Sequence, residues 1–391
     1  MREINILITA ASRRVSLIQG FGQALKRLGL RGNVITSDMN VLSPGLYFCN
    51  RHYLVPLTTN RRYIPIIKSI CFKERIHLLI PTIDDELQLF GSHAESFLEM
   101  GVRVAVSGAE TGAICNDKHR TVQFLAGKGL PVPQSWLPEE LNFGSLNYPL
   151  FLKPRHGRGS VGAHYIANEK ELRFFLGYVP DPIVQRFLPG REFTIDVLAD
   201  FSGKIISAVP RERLVVRSGV IDRGQTWNNP ALIDLGVRVA EALQIRGPAN
   251  IQLKWHREQG AVFEVNPRFS GGINLTMAAG ADFPAWLIEM RLGRKVRSAL
   301  GKFTDGLLMS CYETAVFLTP RVAAHSGAIQ VSAEVAPADL GQTARSRILV
   351  HGPWLEAQSF AEQPQAKGSE LHPRDLNCPG PACIADRGGL E

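Results

Sequence analysis

Short apolar runs alternate with longer periodic segments through residues 1–112: INILITA, then VSLIQGFGQALKRLG, then GNVITSD, and later YIPIIKSICFKERI, HLLIPTIDDELQLFGSHAESFLEMG and VRVAVSG. A short continuous apolar run bounded by turn signals reads as a buried strand, and a helix-length segment with a 3.6-residue period as an amphipathic helix. Their alternation predicts βαβ units, hence a parallel sheet with helices on its faces. In such sheets the functional crevice lies beyond the carboxyl ends of the strands. Here those ends carry residues 10–14, Asp38 and residues 82–86.

The pattern changes after residue 112. Residues 113–182 open with a helical segment, DKHRTVQFLAGKG, whose end is marked by Gly127 and Gly129. A strand, YPLFLKP, a glycine-rich stretch, RHGRGSVG, and a second strand, AHYIA, follow as a hairpin with a long, mobile loop. From residue 183 the order is strand, short Pro-Gly connection and strand in IVQRFLPGREFTIDVLAD, then a helix in IDLGVRVAEALQI, then two strands, ANIQLKW and AVFEVN, around the loop HREQG. If residues 256–260 form that turn, Trp255 faces Ala261, Gln252 faces Glu264 and Asn250 faces Asn266. Strand alternation then puts Asn250, Gln252, Lys254, Glu264 and Asn266 on one face, with Val262 as its one apolar member. Ile251, Leu253, Trp255, Ala261, Phe263 and Val265 take the other. This third region extends to residue 322. Residues 323–391 are weakly patterned and rich in chain breakers, and from Ala361 the chain is expected to be disordered or loosely attached.

Composition narrows the class. A chain of 391 residues suggests two or three domains, and 45% hydrophobic with 20% charged residues is the balance of a soluble globular protein. No apolar run approaches the roughly 20 residues that cross a bilayer, so no membrane partner is expected and the cytoplasm is the expected compartment. The six cysteines, Cys378 and Cys383 among them, lack metal-ligand spacing and are expected to be free thiols. The net charge of +8 is dispersed, without an aromatic-interleaved stripe, so it points to anionic small substrates rather than nucleic acid. A dinucleotide-dependent oxidoreductase would explain Asp38 at the end of the second strand. The first strand is followed by TAASRRVS, however, with no glycine fingerprint for a pyrophosphate. Arg13 and Arg14 in that turn read equally as anion contacts at a helix start and as surface residues.

Three groups of residues carry candidate chemistry. The polar face of the last two strands can be a solvated surface, but Gln252, Glu264 and Asn266 also supply the oxygens a hard cation such as Mg²⁺ takes alongside phosphates. Arg268, just beyond Pro267, would add a planar permanent charge. Lys118 and Lys153, with the loop holding Gly157, Gly159, Ser160 and Gly162, form the second group. Two lysines can neutralise a polyphosphate and glycines let the backbone approach it, though each lysine alone reads as a surface residue. The loop is not a P-loop, because Gly159-Ser160-Val161 stands where Gly-Lys-Ser/Thr is required. The third group is Gln185, Arg186, Phe187 and Leu188, an extended segment able to meet a base edge, followed by Glu192, which could accept ribose hydroxyls.

In this order DKHRTVQFL, FLKPRHGRGSVG, IVQRFLPGREFTIDV, NIQL and FEVNPRFSGG resemble the ATP-grasp superfamily over residues 1–300. The likeness is strongest to the single-unit ligases similar to the carbamoyl-phosphate synthase large subunit. Its most specific part is Glu264-Val265-Asn266-Pro267-Arg268, with Gln252 one strand earlier. The resemblance implies an α/β chain, α+β in its catalytic part: an N-terminal parallel βαβ pre-ATP-grasp domain at 1–112, a small lid lobe at 113–182 and a large lobe with the metal site at 183–322. It implies ATP and Mg²⁺, for which Mn²⁺ can substitute. Lys118 and Lys153 become phosphate contacts, Gly157, Gly159, Ser160 and Gly162 a lid over the β- and γ-phosphates, residues 185–188 the adenine hinge and Glu192 the ribose acceptor. Gln252, Glu264 and Asn266 become metal ligands, while Arg268 and Lys153 take the catalytic role of stabilising the transferring phosphoryl group. The implied reaction phosphorylates a carboxylate to an acyl phosphate that an amine attacks. Two departures stand out. The hinge position that often holds Glu is Gln185 here, and a single unit without a glutaminase-like segment argues against complete carbamoyl-phosphate synthesis.

Small-molecule carboxylate and amine are thus the expected partners, and the resemblance admits a homodimer. Candidate substrate contacts are Arg211, Arg213, Arg217 and Arg223, with Ser270, Gly271 and Gly272, since arginine forks suit carboxylates; strand edges in water hold arginines as well. Asp84, Asp85 or Glu86 could hold the amine. The alternative is an ATP-binding regulatory or scaffold protein without turnover, against which the intact Gln252, Glu264 and Asn266 argue.

Overall fold

Parallel strands do form at the N-terminus. The structure, a computed structural model, describes residues 3–157 and 159–318; the expectations for residues 323–391, with Cys378 and Cys383, lie outside the described residues. The first elements are β1 (Asn5–Ile8), α1 (Val15–Arg27), β2 (Val34–Asp38), β3 (Arg51–Leu54), α2 (Tyr63–Lys73), β4 (Ile76–Ile80), α3 (Asp84–Glu99) and β5 (Arg103–Val104). Their strands pair parallel in the order β3-β2-β1-β4-β5. β1 and β2 are buried along their whole length, as strands covered by helices on both faces must be, and β2 takes Thr36, Ser37 and Asp38 into that buried layer beside Val34 and Ile35.

The strand order reverses between β1 and β4, and the loops at that switch point are tied together. Asp38 Oδ2 accepts the Ser12 N–H at 2.8 Å, Thr82 Oγ1 donates to the Ala10 carbonyl at 2.8 Å, and an Arg14 Nη2 donates to the Thr82 carbonyl at 3.0 Å. These bonds hold Ala10 and Ser12 at φ of 48° and 41°, a left-handed conformation that costs a residue with a Cβ about 1 kcal/mol or more. Helix α3 starts beside them with Asp84, Asp85 and Glu86 in its first turn, where the helix dipole favours carboxylates. Glu86 is fully buried and accepts from the Tyr63 hydroxyl and, at 3.3 Å, from the Thr82 N–H. Burial outweighs these bonds and pushes its carboxyl up to about 7.

Next come α4 (Ala109–Asn116), α5 (Lys118–Gly127), β6 (Ser135–Trp136), β7 (Leu150–Pro154), β8 (His164–Ile166), α6 (Glu169–Tyr178) and β9 (Pro182–Arg186). β7 and β8 form the expected hairpin, and the small sheet runs β6-β9-β7-β8. A large lobe starting at residue 183 therefore needs moving: β9 pairs with β7 through Phe151↔Gln185 and Lys153↔Ile183, so residues 182–186 belong to the small sheet. The Pro-Gly connection is a crossing between sheets. Gly190 sits there at φ 99°, where a Cβ would come within 2.3 Å of the Trp255 carbonyl oxygen.

The remaining elements are β10 (Arg191–Ala199), β11 (Ile205–Arg217), β12 (Val220–Thr226), α7 (Pro230–Ala242), β13 (Gly247–His256), β14 (Gln259–Asn266), α8 (Ile273–Ala278), α9 (Phe283–Arg291) and β15 (Leu308–Ser310). The six strands form one antiparallel sheet ordered β14-β13-β10-β11-β12-β15. One face carries Phe193, Ile195, Val197, Ile251 and Leu253 into a core closed by Leu232, Leu235 and Val239 of α7. The opposite face, polar through its middle, joins the N-terminal sheet at its margin through Leu198, Val209 and Phe269, where Phe269 packs edge-on against Phe21 of α1.

Glu86 gives a pH signature to the N-terminal sheet. Its folded value lies above the ordinary 4.5, so the stability it contributes is complete below about 4.5 and is lost as pH rises through about 7. Thermal melts of wild type and Glu86→Gln across pH 4 to 8 should therefore diverge, the variant gaining roughly a few degrees relative to wild type as pH rises. A pH-independent difference would place the Glu86 carboxyl at its ordinary value.

Candidate active site

Register on the large sheet assembles a polar floor. Pairings Arg191↔Trp255 to Ala199↔Gly247 set Glu192 beside Lys254, Thr194 beside Gln252 and Asp196 beside Asn250, while Thr194↔Arg211 brings β11 in from the other side. Alternation does the rest, so Glu192, Arg213, Gln252, Lys254 and Glu264 share one cavity wall. As expected from the sequence, Gln252 lies directly opposite Glu264 and Asn250 opposite Asn266.

The turn differs from the expected loop at 256–260. Arg257 and Glu258 both take left-handed φ, 48° and 59°, making a two-residue connection with His256↔Gln259 as the next pair. The shorter turn advances the register by one residue, and Trp255 faces Gly260 instead of Ala261. A bulge between Gln252 and Leu253 then restores the register at Glu264, leaving Phe263 as the extra residue. Val262, expected on the polar face, is consequently buried in the core, and Phe263, expected in the core, faces the cavity.

The small sheet supplies the facing wall. Lys153 on β7 is buried, with Nζ donating to the Phe263 carbonyl at 3.3 Å and standing 5.0 Å over its ring. Lys118 opens α5 and donates to the Gly157 carbonyl at 2.7 Å. Asp117 fixes that helix start, accepting from His119 and Arg120 N–H while Arg155 grips its carboxylate at 2.9 and 2.7 Å. Gly157, Gly159, Ser160 and Gly162 all have positive φ, from 59° to 115°. The first three line the cavity with Gln185, Arg186, Phe187 and Leu188. The Gln185 side chain donates to Ser135 Oγ at 2.9 Å and the Arg186 N–H to the Gln134 carbonyl at 2.8 Å. Between the walls lies about 1000 Å³ of empty space, open mouth included, at the upper end of small-molecule sites.

Charges inside the cavity are paired across strands. Glu192 receives Arg213 Nη1 on Oε1 at 2.7 Å and Lys254 Nζ on Oε2 at 2.9 Å. Lys153 is pulled down to about 8 by burial, against the opposing attraction of Glu264. Its proton is therefore labile near neutrality, and an anion in the cavity would hold it.

Other expected site residues fall outside this cavity. Asn266 donates to Glu264 Oε1 at 3.0 Å and to Asn250 Oδ1 at 3.2 Å. Arg268 forms a fork-to-fork pair with Asp84, Nε to Oδ1 at 2.8 Å and Nη2 to Oδ2 at 2.6 Å, and also donates to Asn266 Oδ1 at 3.3 Å. Glu264, Asn266, Arg268 and Asp84 thus form one hydrogen-bonded line toward the N-terminal sheet. The substrate set divides. Arg211 is fully buried against Asp196 at 2.7 Å and donates to Ser270 Oγ at 2.9 Å, with Gly272 packed against its guanidinium. Gly271 packs against Val220. Arg217 and Arg223 are exposed, beside Glu313 and Asp222, and do not line the cavity. Sequence reasoning did not single out Phe151 and His156, which line the wall; no local pattern marks either.

Residues 178–315 match the family described as "ATP-grasp in the biosynthetic pathway with Ter operon", and residues 6–105 match the one described as "PylC-like, N-terminal domain". The chain is 26% identical over 274 residues to the carbamoyl phosphate synthase large chain of Methanothermobacter thermautotrophicus, a match covering 63% of this chain; it spans about a quarter of that relative's length, 25%. Among solved structures it is similar to the biotin carboxylase of Campylobacter jejuni in its β-γ-ATP complex (TM-score 0.61, 16% identity, 75% of this chain and 72% of that one). It is likewise similar to the L-amino acid ligase of Bacillus licheniformis (TM-score 0.61, 19% identity, 78% of each chain). These two likenesses are of fold.

The Lys153 charge can be tested with an inorganic polyanion. Tripolyphosphate affinity, measured by calorimetry, should begin to fall as pH passes about 8, since a charge-assisted contact is lost, by about tenfold or more once the lysine is neutral. In Lys153→Met affinity should start low and the step should vanish. A wild-type profile flat to pH 10 would show that Lys153 does not meet the anion.

Proposed function

We propose that the chain, whose residues 178–315 and 6–105 match an ATP-grasp and a PylC-like N-terminal family model, is an ADP-forming ligase. In this reading it phosphorylates a substrate carboxylate on Mg-ATP and passes the acyl phosphate to an amine, forming a C–N bond. The observation that carries the reading is the pairing of Gln252 with Glu264 on a floor that faces Lys153, Lys118 and glycine backbone across one cavity. That is an oxygen-donor site opposite a cationic one, the arrangement that a metal-bound polyphosphate requires.

The donor chemistry fits Mg²⁺. Gln252 offers an amide oxygen and Glu264 a carboxylate, with Asn266 hydrogen-bonded to Glu264. A cation here would take the Glu264 carboxylate and the Gln252 amide oxygen together with phosphate oxygens, and one or two carboxylates beside substrate phosphates is the usual setting of Mg²⁺. Bound Mg-ATP supplies the phosphoryl group; the chain's residues place and neutralise it. Lys118 and Lys153 balance phosphate charge, the glycine-rich loop gives the phosphates access to backbone, and residues 185–188 with Glu192 would take the nucleoside. Arg268 would meet the charge that builds on the acceptor, its fork being oriented by Asp84 and Asn266. No side-chain nucleophile is needed, since positioning and charge neutralisation dominate phosphoryl transfer. An amino-acid-like acceptor is supported by the likeness of fold to an L-amino acid ligase.

The test is Mg-dependent ADP release in pools of amino acids and other small carboxylates with amines. Glu264→Gln should lose about 100-fold or more in turnover with its far-ultraviolet circular dichroism unchanged. Near wild-type turnover in that variant would remove Glu264 from the metal site. Nucleotide binding without ADP release in any pool would instead leave a nucleotide-sensing protein.

A further inference from the structure

Arg213 stands among the arginines first grouped as substrate contacts, yet its guanidinium joins three parts of the cavity. Its side chain is 6% exposed. Nη1 donates to Glu192 Oε1 at 2.7 Å and to Gln252 Oε1 at 3.1 Å, and Nη2 donates to the Gly219 carbonyl at 2.8 Å. Gly219 and Ser218 form the tip between β11 and β12, with φ of 73° and 48°. This tip touches the glycine-rich loop backbone to backbone: a Cβ on Gly219 would fall 2.6 Å from Gly159 Cα. Along the strands leading to the tip, Leu214, Val215, Val216 and Val220 are exposed, from 37% to 46%.

Both acceptors of Nη1 are groups that the proposed function gives to the nucleotide and its metal, and the inference rests on that reading. A dication on Gln252 Oε1 would stand against the guanidinium, and like charges at that separation repel strongly in a partly desolvated cleft. Glu192 would keep Lys254, which holds its other oxygen at 2.9 Å. Among the described residues Nη1 donates only to Glu192 and Gln252, so once both are engaged the strongest anion within its reach would be the polyphosphate.

We propose that Arg213 is a positioning residue that couples loading of the metal–nucleotide site to the β11–β12 tip at residues 217–220. Loading takes Gln252 and Glu192 away from Nη1, the guanidinium turns toward the polyphosphate, and the tip, held through Nη2 by the Gly219 carbonyl, is drawn over the cavity mouth. The planar fork is essential, because one side must hold phosphate while the other holds the carbonyl. The exposed valines near the tip are apolar surface that closure would cover.

Hydrogen exchange of the full chain, with and without Mg²⁺ and a non-hydrolysable ATP analogue, tests this, with binding followed separately by equilibrium dialysis. In wild type, loading should slow amide exchange at residues 217–220 by about fivefold or more. In Arg213→Gln, with the analogue raised until dialysis shows full occupancy, exchange at the tip should stay within about twofold of the free protein. Arg213→Lys, which keeps the charge without the fork, should behave like Arg213→Gln and serves if the glutamine variant does not fold. Unchanged tip exchange in analogue-bound wild type overturns the coupling, as does full protection in either variant. Failure of wild type to bind the analogue by dialysis would overturn the nucleotide reading itself, and this inference with it.

Discussion

Charged side chains that a sheet carries into a cleft must each find a partner, because burying an unpaired charge costs more than folding leaves to spend. On the floor of the large sheet this requirement fixes the geometry. Asp196 meets Arg211, and Glu192 is held between Arg213 and Lys254. These pairs span β10, β11 and β13, so the site is stiffened across the strands as well as along them. Glu264, which lines the cavity with Glu192, is instead oriented by Asn266. In the proposed function a cation would meet the oxygens of Gln252 and Glu264 on this floor once Arg213 Nη1 leaves Gln252 Oε1.

The second wall is built on different principles. Lys153 reaches the cavity from a three-residue-deep hairpin, and Lys118 from the first turn of a helix whose start is clamped by Asp117 and Arg155. Neither position depends on the floor's ion pairs. The walls meet through the short crossing at residues 187–190, where Gly190 lies against the backbone of Trp255. Two sheets with separate cores thus face each other with few covalent links. Substrate entry between them disturbs neither core.

Much of the floor was legible because it is local. Gln252 and Glu264 lie on neighbouring strands joined by a short turn, and an assumed turn at 256–260 set them opposite each other because the bulge offsets its one-residue error. The same logic failed at Phe263 and Val262, since it assumed a longer turn; the left-handed pair Arg257 and Glu258 has no glycine to announce it, and the compensating bulge follows from it. β9 was assigned to the wrong sheet because a Pro-Gly step reads alike as hairpin and as crossing. The role of Arg213 depends on β10 pairing with β11, and the Arg268–Asp84 pair joins residues 184 positions apart. Such pairings are decided by topology, and no window of sequence contains them.

That last pair bears on how the two halves of the chain can change over evolutionary time. Arg268 follows β14 of the large sheet and Asp84 opens α3 of the N-terminal region, and each is mostly enclosed, with 12% and 14% of its side chain exposed. Losing Asp84 removes both carboxylate oxygens that orient the Arg268 fork. The halves are consequently not interchangeable modules: a recombinant that borrowed its first sheet from a relative with a neutral side chain at position 84 would inherit an intact fold in each half and a misaimed guanidinium between them. Change at position 84 is thereby tied to change at position 268, since the carboxylate and the guanidinium fork hold each other through two hydrogen bonds.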